Sequence, residues 1–179
     1  TATTEIFTLS LHDAIPMYAM IFSFTYQGTN SSLVGYWPMD YDWKDYSGNG
    51  NNGTPNGGVS FSADSLAGVA SGMFNGTDAY VGVKSSALIT NETESAITAW
   101  VYPTTLTCPS NNGQTIYSEN AQCTSCDYYG CHNIPCNYHS LGIDCSGKAR
   151  FMVKNIATVT SNAPLATNTW QYLVATRDA

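Results

Sequence analysis

Positive charge is scarce in this sequence: six Lys and Arg stand against thirteen Asp and Glu among 179 residues, for a formal net charge of −7. A protein that grips phosphates needs a basic stripe, so nucleic-acid binding is excluded. Charge of either sign is thin, at 11% of residues, well below the roughly 25% of an ordinary soluble domain. Long apolar runs are missing too, and no stretch approaches the ~18 residues of a membrane span. The longest apolar patch, Ile15 to Tyr26, is broken by Pro16, Ser23 and Thr25 and has no basic leader, which makes a poor signal peptide. No window holds a helical apolar period beyond two turns.

What remains is 43% hydrophobic and 12% aromatic, with polarity carried by Gly, Asn, Ser and Thr. That is the composition of an all-β domain large enough for a real core. From Leu33 onward short apolar runs alternate with turn clusters. Strands are expected at Leu33–Met39, Ala96–Tyr102, Gln114–Glu119, Tyr138–Asp144, Lys148–Lys154, Ala157–Thr160 and Trp170–Arg177, with a short pairing segment around Thr54. Met73-Phe74 and Ala79–Val83 flank Asn75-Gly76-Thr77-Asp78, an Asn-Gly hairpin signal. In Ala96–Tyr102 the aliphatic Ile97, Ala99 and Val101 alternate with Thr98, Trp100 and Tyr102, so both faces are expected to touch other groups.

Six cysteines, Cys108, Cys123, Cys126, Cys131, Cys136 and Cys145, crowd into one part of the chain. An even, clustered set reads as disulfides in an oxidising compartment. Cys108 precedes one expected strand and Cys145 follows another; antiparallel pairing brings them to one end of a hairpin, so they are expected to bond. The other four are expected to staple residues 120–137 in two bonds of open connectivity. Zinc held by these thiols with His132 and His139 is the weaker reading, because the spacing fits no common two-plus-two ligand layout. Sequons at Asn30, Asn52, Asn75 and Asn91 agree with glycosylation and an extracellular or cell-surface location.

Residues 1–17, TATTEIFTLSLHDAIPM, resemble the conceptual translation of a sequencing-adapter oligonucleotide, TATTEIYTLSLHDALPI, departing only at Phe7, Ile15 and Met17. With no initiating Met, the expectation is an assembly scar outside both sheets and a non-domain leader over residues 1–32. Residues 18–30 can still add a strand through the apolar Met20–Phe24 run. Over residues 33–179, the series LVGYWPMD, DYSGNGNNGT, GMFNGTDAYVGV, ITAWVYPTT, SLGIDCSGKARF and NTWQYLVATRD resembles the laminin-G-like, concanavalin A-like lectin/glucanase superfamily. The resemblance implies a jelly-roll sandwich of two antiparallel sheets, used as an extracellular module that binds glycans or proteins, often with one calcium. It also implies that the cysteine-rich 120–137 segment is an insertion and that the sandwich is incomplete at its C-terminus, leaving sheet edges open to self-association.

Glucanases of that superfamily carry Glu-x-Asp-x-x-Glu on one strand, and this chain has no such pattern. Its four glutamates, Glu5, Glu92, Glu94 and Glu119, are scattered, so no enzymatic activity is expected. Asp40, Asp42, Asp45 and Asn49 offer hard oxygen donors on a Gly-rich loop; with the resemblance, Asp40 and Asp45 are the expected calcium ligands, and no organic cofactor is expected. Trp37, Trp100 and Trp170 sit inside strands as packing residues. Trp43, beside Tyr41 and Tyr46, and Tyr128 with Tyr129 in the insertion, are the expected ligand-stacking aromatics. The leading expectation is therefore a non-catalytic recognition module; the alternatives are an assembly unit of an adhesin or filament, and an accessory domain of a glycoside hydrolase.

Overall fold

The computed structural model describes residues 6–10, 17–26, 32–84, 94–106, 108, 113–119, 122–127, 130–135, 139–153 and 156–178. These hold fifteen strands and no helix. In chain order they are β1 (Ile6–Ser10), β2 (Met17–Tyr26), β3 (Ser32–Trp37), β4 (Thr54–Asn56), β5 (Ser60–Ser62), β6 (Ser71–Phe74), β7 (Tyr80–Lys84) and β8 (Ser95–Pro103). There follow β9 (Gln114–Ser118), β10 (Gln122–Asp127), β11 (Gly130–Pro135), β12 (His139–Ile143), β13 (Lys148–Val153), β14 (Ala157–Pro164) and β15 (Gln171–Arg177).

The larger sheet runs β14-β13-β12-β9-β1-β7-β4. The second runs β15-β8-β2-β6-β5, with β3 also on β2. Every pairing is antiparallel. The fold is all-β, and one apolar core draws on both sheets: Ile97, Ala99, Val101 and Leu173 from the second meet Val81, Ile116, Leu141, Ile143 and Phe151 from the first. Strand β8 alternates as its sequence demands. Ile97, Ala99 and Val101 are buried, while Trp100 and Tyr102 lie half-buried on the outer face against Tyr172 and Trp170, at ring separations of 4.9 and 5.5 Å.

Three placements differ from the sequence reading. Ile6–Ser10 is expected outside both sheets, yet β1 pairs with β7 from Ile6↔Lys84 to Ser10↔Tyr80 and meets β9 at Thr8↔Ser118. Likewise the boundary at residue 32 cuts through a sheet, because β2 lies along β8 and takes β6 and β3 end to end on its other edge. The physical reason is the free edges that β7, β9 and β8 otherwise present, which a β-favouring segment can pair whatever its origin. Lastly, Asn75–Asp78 is not a hairpin turn, since β6 and β7 belong to different sheets. The Asn75 carboxamide accepts from the backbone of Thr77, Asp78 and Ala79, while Gly76 takes φ +70°, and the chain turns a corner from one layer to the other.

The cysteine-rich insertion forms a two-stranded sheet of its own between β9 and β12, which pair directly with each other. Its register sets Cys126 opposite Cys131 and Cys123 opposite Ile134; Cys136 lies outside the described residues. Gln114 pairs with Ile143, and at that end a disulfide joins Cys108 to Cys145 across a Cα separation of 5.0 Å.

Candidate functional site

After Trp37 the strand stops at Pro38, which has no N–H to give a ladder. The chain then enters a long loop, residues 38–53, tied down by its own polar groups. Met39 and Tyr41 both adopt left-handed backbone, at φ 59° and 60°, which costs a non-glycine residue on the order of 1–3 kcal/mol and persists only where the surroundings hold it. Here the Met39 side chain, 1% exposed, anchors the loop in the core.

Asp45 is the hub. Its Oδ1 accepts from the backbone N–H of Tyr36 at 2.9 Å and of Ser47 at 2.8 Å, and its Oδ2 from Asn51 at 2.9 Å. Partial burial pushes its carboxyl pKa up, but bonds from the Ser47 side chain and from the Tyr36, Ser47 and Asn51 amides outweigh this and hold it below the ordinary 3.8. Asn49 and Asn51 donate to the Val34 carbonyl, and the Trp37 indole donates to the Asn51 carbonyl at 2.9 Å. Asp40 clamps a second loop, its Oδ1 accepting from Val69 at 2.8 Å and Ala70 at 3.0 Å. The two expected calcium ligands thus accept backbone amides on three of their four carboxylate oxygens. Among the described residues no three His, Cys, Asp or Glu side chains converge as metal ligands.

The aromatic residues of this loop divide. Trp43 stacks on Phe61 at 4.4 Å and meets Phe74 edge-on at 6.1 Å, over Gly72, where a Cβ would strike Met39 and crowd the indole. It is half-buried at the margin of the core. Tyr41 and Tyr46 are each 56% exposed. The Tyr46 hydroxyl donates to Asp42 Oδ2 at 3.0 Å, and that bond, with the Asp42 charge, raises its pKa above 10.0. Asp42 also faces Lys44 at 3.6 Å. The loop therefore carries two exposed tyrosines, Tyr41 edge-on to Phe61 at 5.8 Å and Tyr46 bonded to Asp42, which also faces Lys44. Tyr128 and Tyr129 lie outside the described residues, as do the sequons' Asn30 and Asn91. Asn52 and Asn75 are exposed, with Asn52 Oδ1 accepting from Asp45 at 3.0 Å.

A second polar cluster escapes the sequence reading. Glu119, scattered among unrelated glutamates in the sequence, is wholly buried and accepts from the Tyr117 hydroxyl at 2.8 Å, the His139 amide at 2.8 Å and His139 Nδ1 at 2.9 Å. Burial pushes the Tyr117 phenol well above its ordinary pKa, and the Glu119 charge and hydrogen bond add to this. On the far side of the ring, His139 Nε2 faces Ser95 Oγ and Arg177 Nη1, both at 3.5 Å. Carboxylate, imidazole and serine follow in the order of a hydrolytic triad. Yet His139 is wholly buried, Ser95 is 5% exposed, and the Arg177 guanidinium competes for the one lone pair that a base would need. The cluster ties β9 and β12 of one sheet to β8 and β15 of the other.

Comparison of the chain with protein-family models, with curated proteins and with solved structures returns no match in any of the three.

Proposed function

We propose that the chain is an extracellular recognition module that binds glycan without turning it over, through Tyr41, Asp42 and Tyr46. One observation carries this reading: a loop stitched in place by Asp45 holds two tyrosines more than half exposed, so little ordering remains to be done on binding. The Cys108–Cys145 bond and the four sequons support an oxidising, secretory setting. Because Asp40 and Asp45 are committed to amides, the order of the loop comes from the chain itself, and glycan binding is expected to survive a calcium chelator.

A glycan array probed with the full chain tests the reading. Tyr41→Asn removes the ring while keeping a residue that tolerates left-handed backbone, and Tyr46→Ala removes the second ring. Together they should lower the array signal by roughly tenfold, each ring contributing about 0.5–1.5 kcal/mol of stacking. Unchanged binding in the double variant would overturn the assignment.

The assembly reading also has an observation in its favour, an apolar cleft between β14 and β15 lined by the exposed Ile156, Val159 and Val174.

A further inference from the structure

Two of the four sequons, Asn52-Gly53-Thr54 and Asn75-Gly76-Thr77, fall on described residues, and both asparagines are exposed. As sequence they are equivalent, since each is Asn-Gly-Thr, but their carboxamides are held in opposite ways. Attachment of a glycan takes place at the nitrogen. Nδ2 forms a bond to the anomeric carbon of a lipid-linked oligosaccharide and gives up one hydrogen as a proton, while the lipid pyrophosphate leaves. The folded product must then have room for a sugar ring directly on that atom.

At Asn75 the nitrogen is already in use. Nδ2 donates to Asp78 Oδ1 at 2.6 Å, and the backbone of Gly58 passes so close that a Cβ there would collide with the same atom. Nor can the carboxamide swing outward. Its Oδ1 accepts from the amides of Thr77 at 2.9 Å, Asp78 at 3.2 Å and Ala79 at 3.1 Å, and those bonds carry the chain from β6 in one sheet to β7 in the other. A sugar on this nitrogen would have to displace the corner.

Asn52 is the reverse case. Its Oδ1 accepts from the Asp45 amide at 3.0 Å, which fixes the group, while Nδ2 has no hydrogen-bond partner among the described residues. Behind it Gly53 donates to the Trp43 carbonyl at 2.7 Å, and Thr54 is exposed at the start of β4. The carboxamide oxygen and the glycine amide thus hold the tripeptide in place, and the nitrogen is the group left over.

We propose that Asn52 is the N-glycosylated residue of this pair, and that Asn75, in an identical tripeptide, stays unmodified in the folded protein because its carboxamide is reserved for the corner between the sheets. The assignment does not depend on the tyrosine-loop reading, although it sets a carbohydrate on the loop that carries Tyr41 and Tyr46.

The test secretes the full chain from a eukaryotic cell line behind a cleavable signal. Each site is read by peptide mass spectrometry after glycosidase release in heavy-oxygen water, which converts every formerly glycosylated Asn to labelled Asp. The secreted protein should carry the label at Asn52 in most molecules and at Asn75 in almost none. Adding dithiothreitol to the cells prevents the Cys108–Cys145 bond and delays folding, so the retained chains should show Asn75 labelled as well. Thr77→Ala, which cancels that sequon while keeping its backbone amide, should be secreted at least as well as the parent, because no chain is then lost to a blocked corner. An occupied Asn75 or an empty Asn52 in the secreted protein would overturn the proposal. So would an Asn75 that stays empty in the reduced, retained chains, which would assign its exclusion to the sequence rather than to the fold, or a Thr77→Ala chain that is secreted less than the parent.

Discussion

Asp45 shows how much one short side chain can organise. Three backbone amides from Tyr36, Ser47 and Asn51 converge on its two oxygens, so its removal leaves three donors to find water or nothing. Asp45→Ala should lower stability by about 1–2 kcal/mol in chemical denaturation and quench the binding of the loop's ligand. Its pH dependence has a definite sign. The folded carboxyl titrates below the ordinary 3.8, so its contribution is intact above that value and is lost as pH falls through the lower folded value. Loop order, followed through Trp43 fluorescence, should therefore hold at neutral pH and decline only below about pH 4. Glu119 is the buried counterpart. Replacing it by Gln keeps the shape but removes the charge that Tyr117 and His139 address, and should cost about 3 kcal/mol, with Ser95→Ala costing much less, because Ser95 stands at the margin of hydrogen-bond distance. A loss from Ser95→Ala as large as that from Glu119→Gln would mean that the serine is integral to the cluster.

At the scale of elements, most strands from Leu33 onward were legible because each is a short apolar or alternating run between turn formers, and β8 keeps its aliphatic and aromatic faces as written, whereas the three-residue β5 and the polar β10 and β11 of the insertion carry no such pattern. The β9–β12 pair was legible for a further reason. Cys108 and Cys145 mark one end of it, and the structure joins them. Cys108→Ser with Cys145→Ser should cost about 4 kcal/mol in thermal or denaturant melts, from the 37-residue separation that the bond closes; a double variant as stable as the parent would contradict that role. At its other end the same pair sets Glu119 beside His139, but a bulge between Leu141 and Gly142 shifts the register by one, so counting residues from the cysteine end would have put Ser118 there instead. What was not legible has a common cause. The corner at Asn75–Asp78 reads locally as a hairpin because Asn-Gly serves any tight reversal, and only the partners of β6 and β7 decide whether the chain stays in a sheet or leaves it. For β1 and β2, a resemblance to translated adapter argues about origin, whereas pairing depends on free edges and β-propensity. What Asp40 and Asp45 do within the loop was not legible either, because oxygen donors on a Gly-rich loop suit calcium and backbone amides equally well.

For the whole molecule, the two sheets close over one core, and a stitched polar loop bearing the exposed Tyr41 and Tyr46 is the proposed glycan surface. Such a surface would bind weakly alone, and modules repeated on one chain or surface would gain strength by effective concentration. The central claim is that this loop is a preformed glycan site. Its most direct test is the two-dimensional NMR spectrum of the isotope-labelled chain titrated with an oligosaccharide that the array selects. The account predicts saturable shifts confined to the amides of Tyr41, Asp42, Tyr46 and their neighbours, with the Asp45-bonded amides of Tyr36, Ser47 and Asn51 already protected from exchange before ligand is added. Shifts that map elsewhere, or a loop whose amides gain protection only on binding, would contradict it.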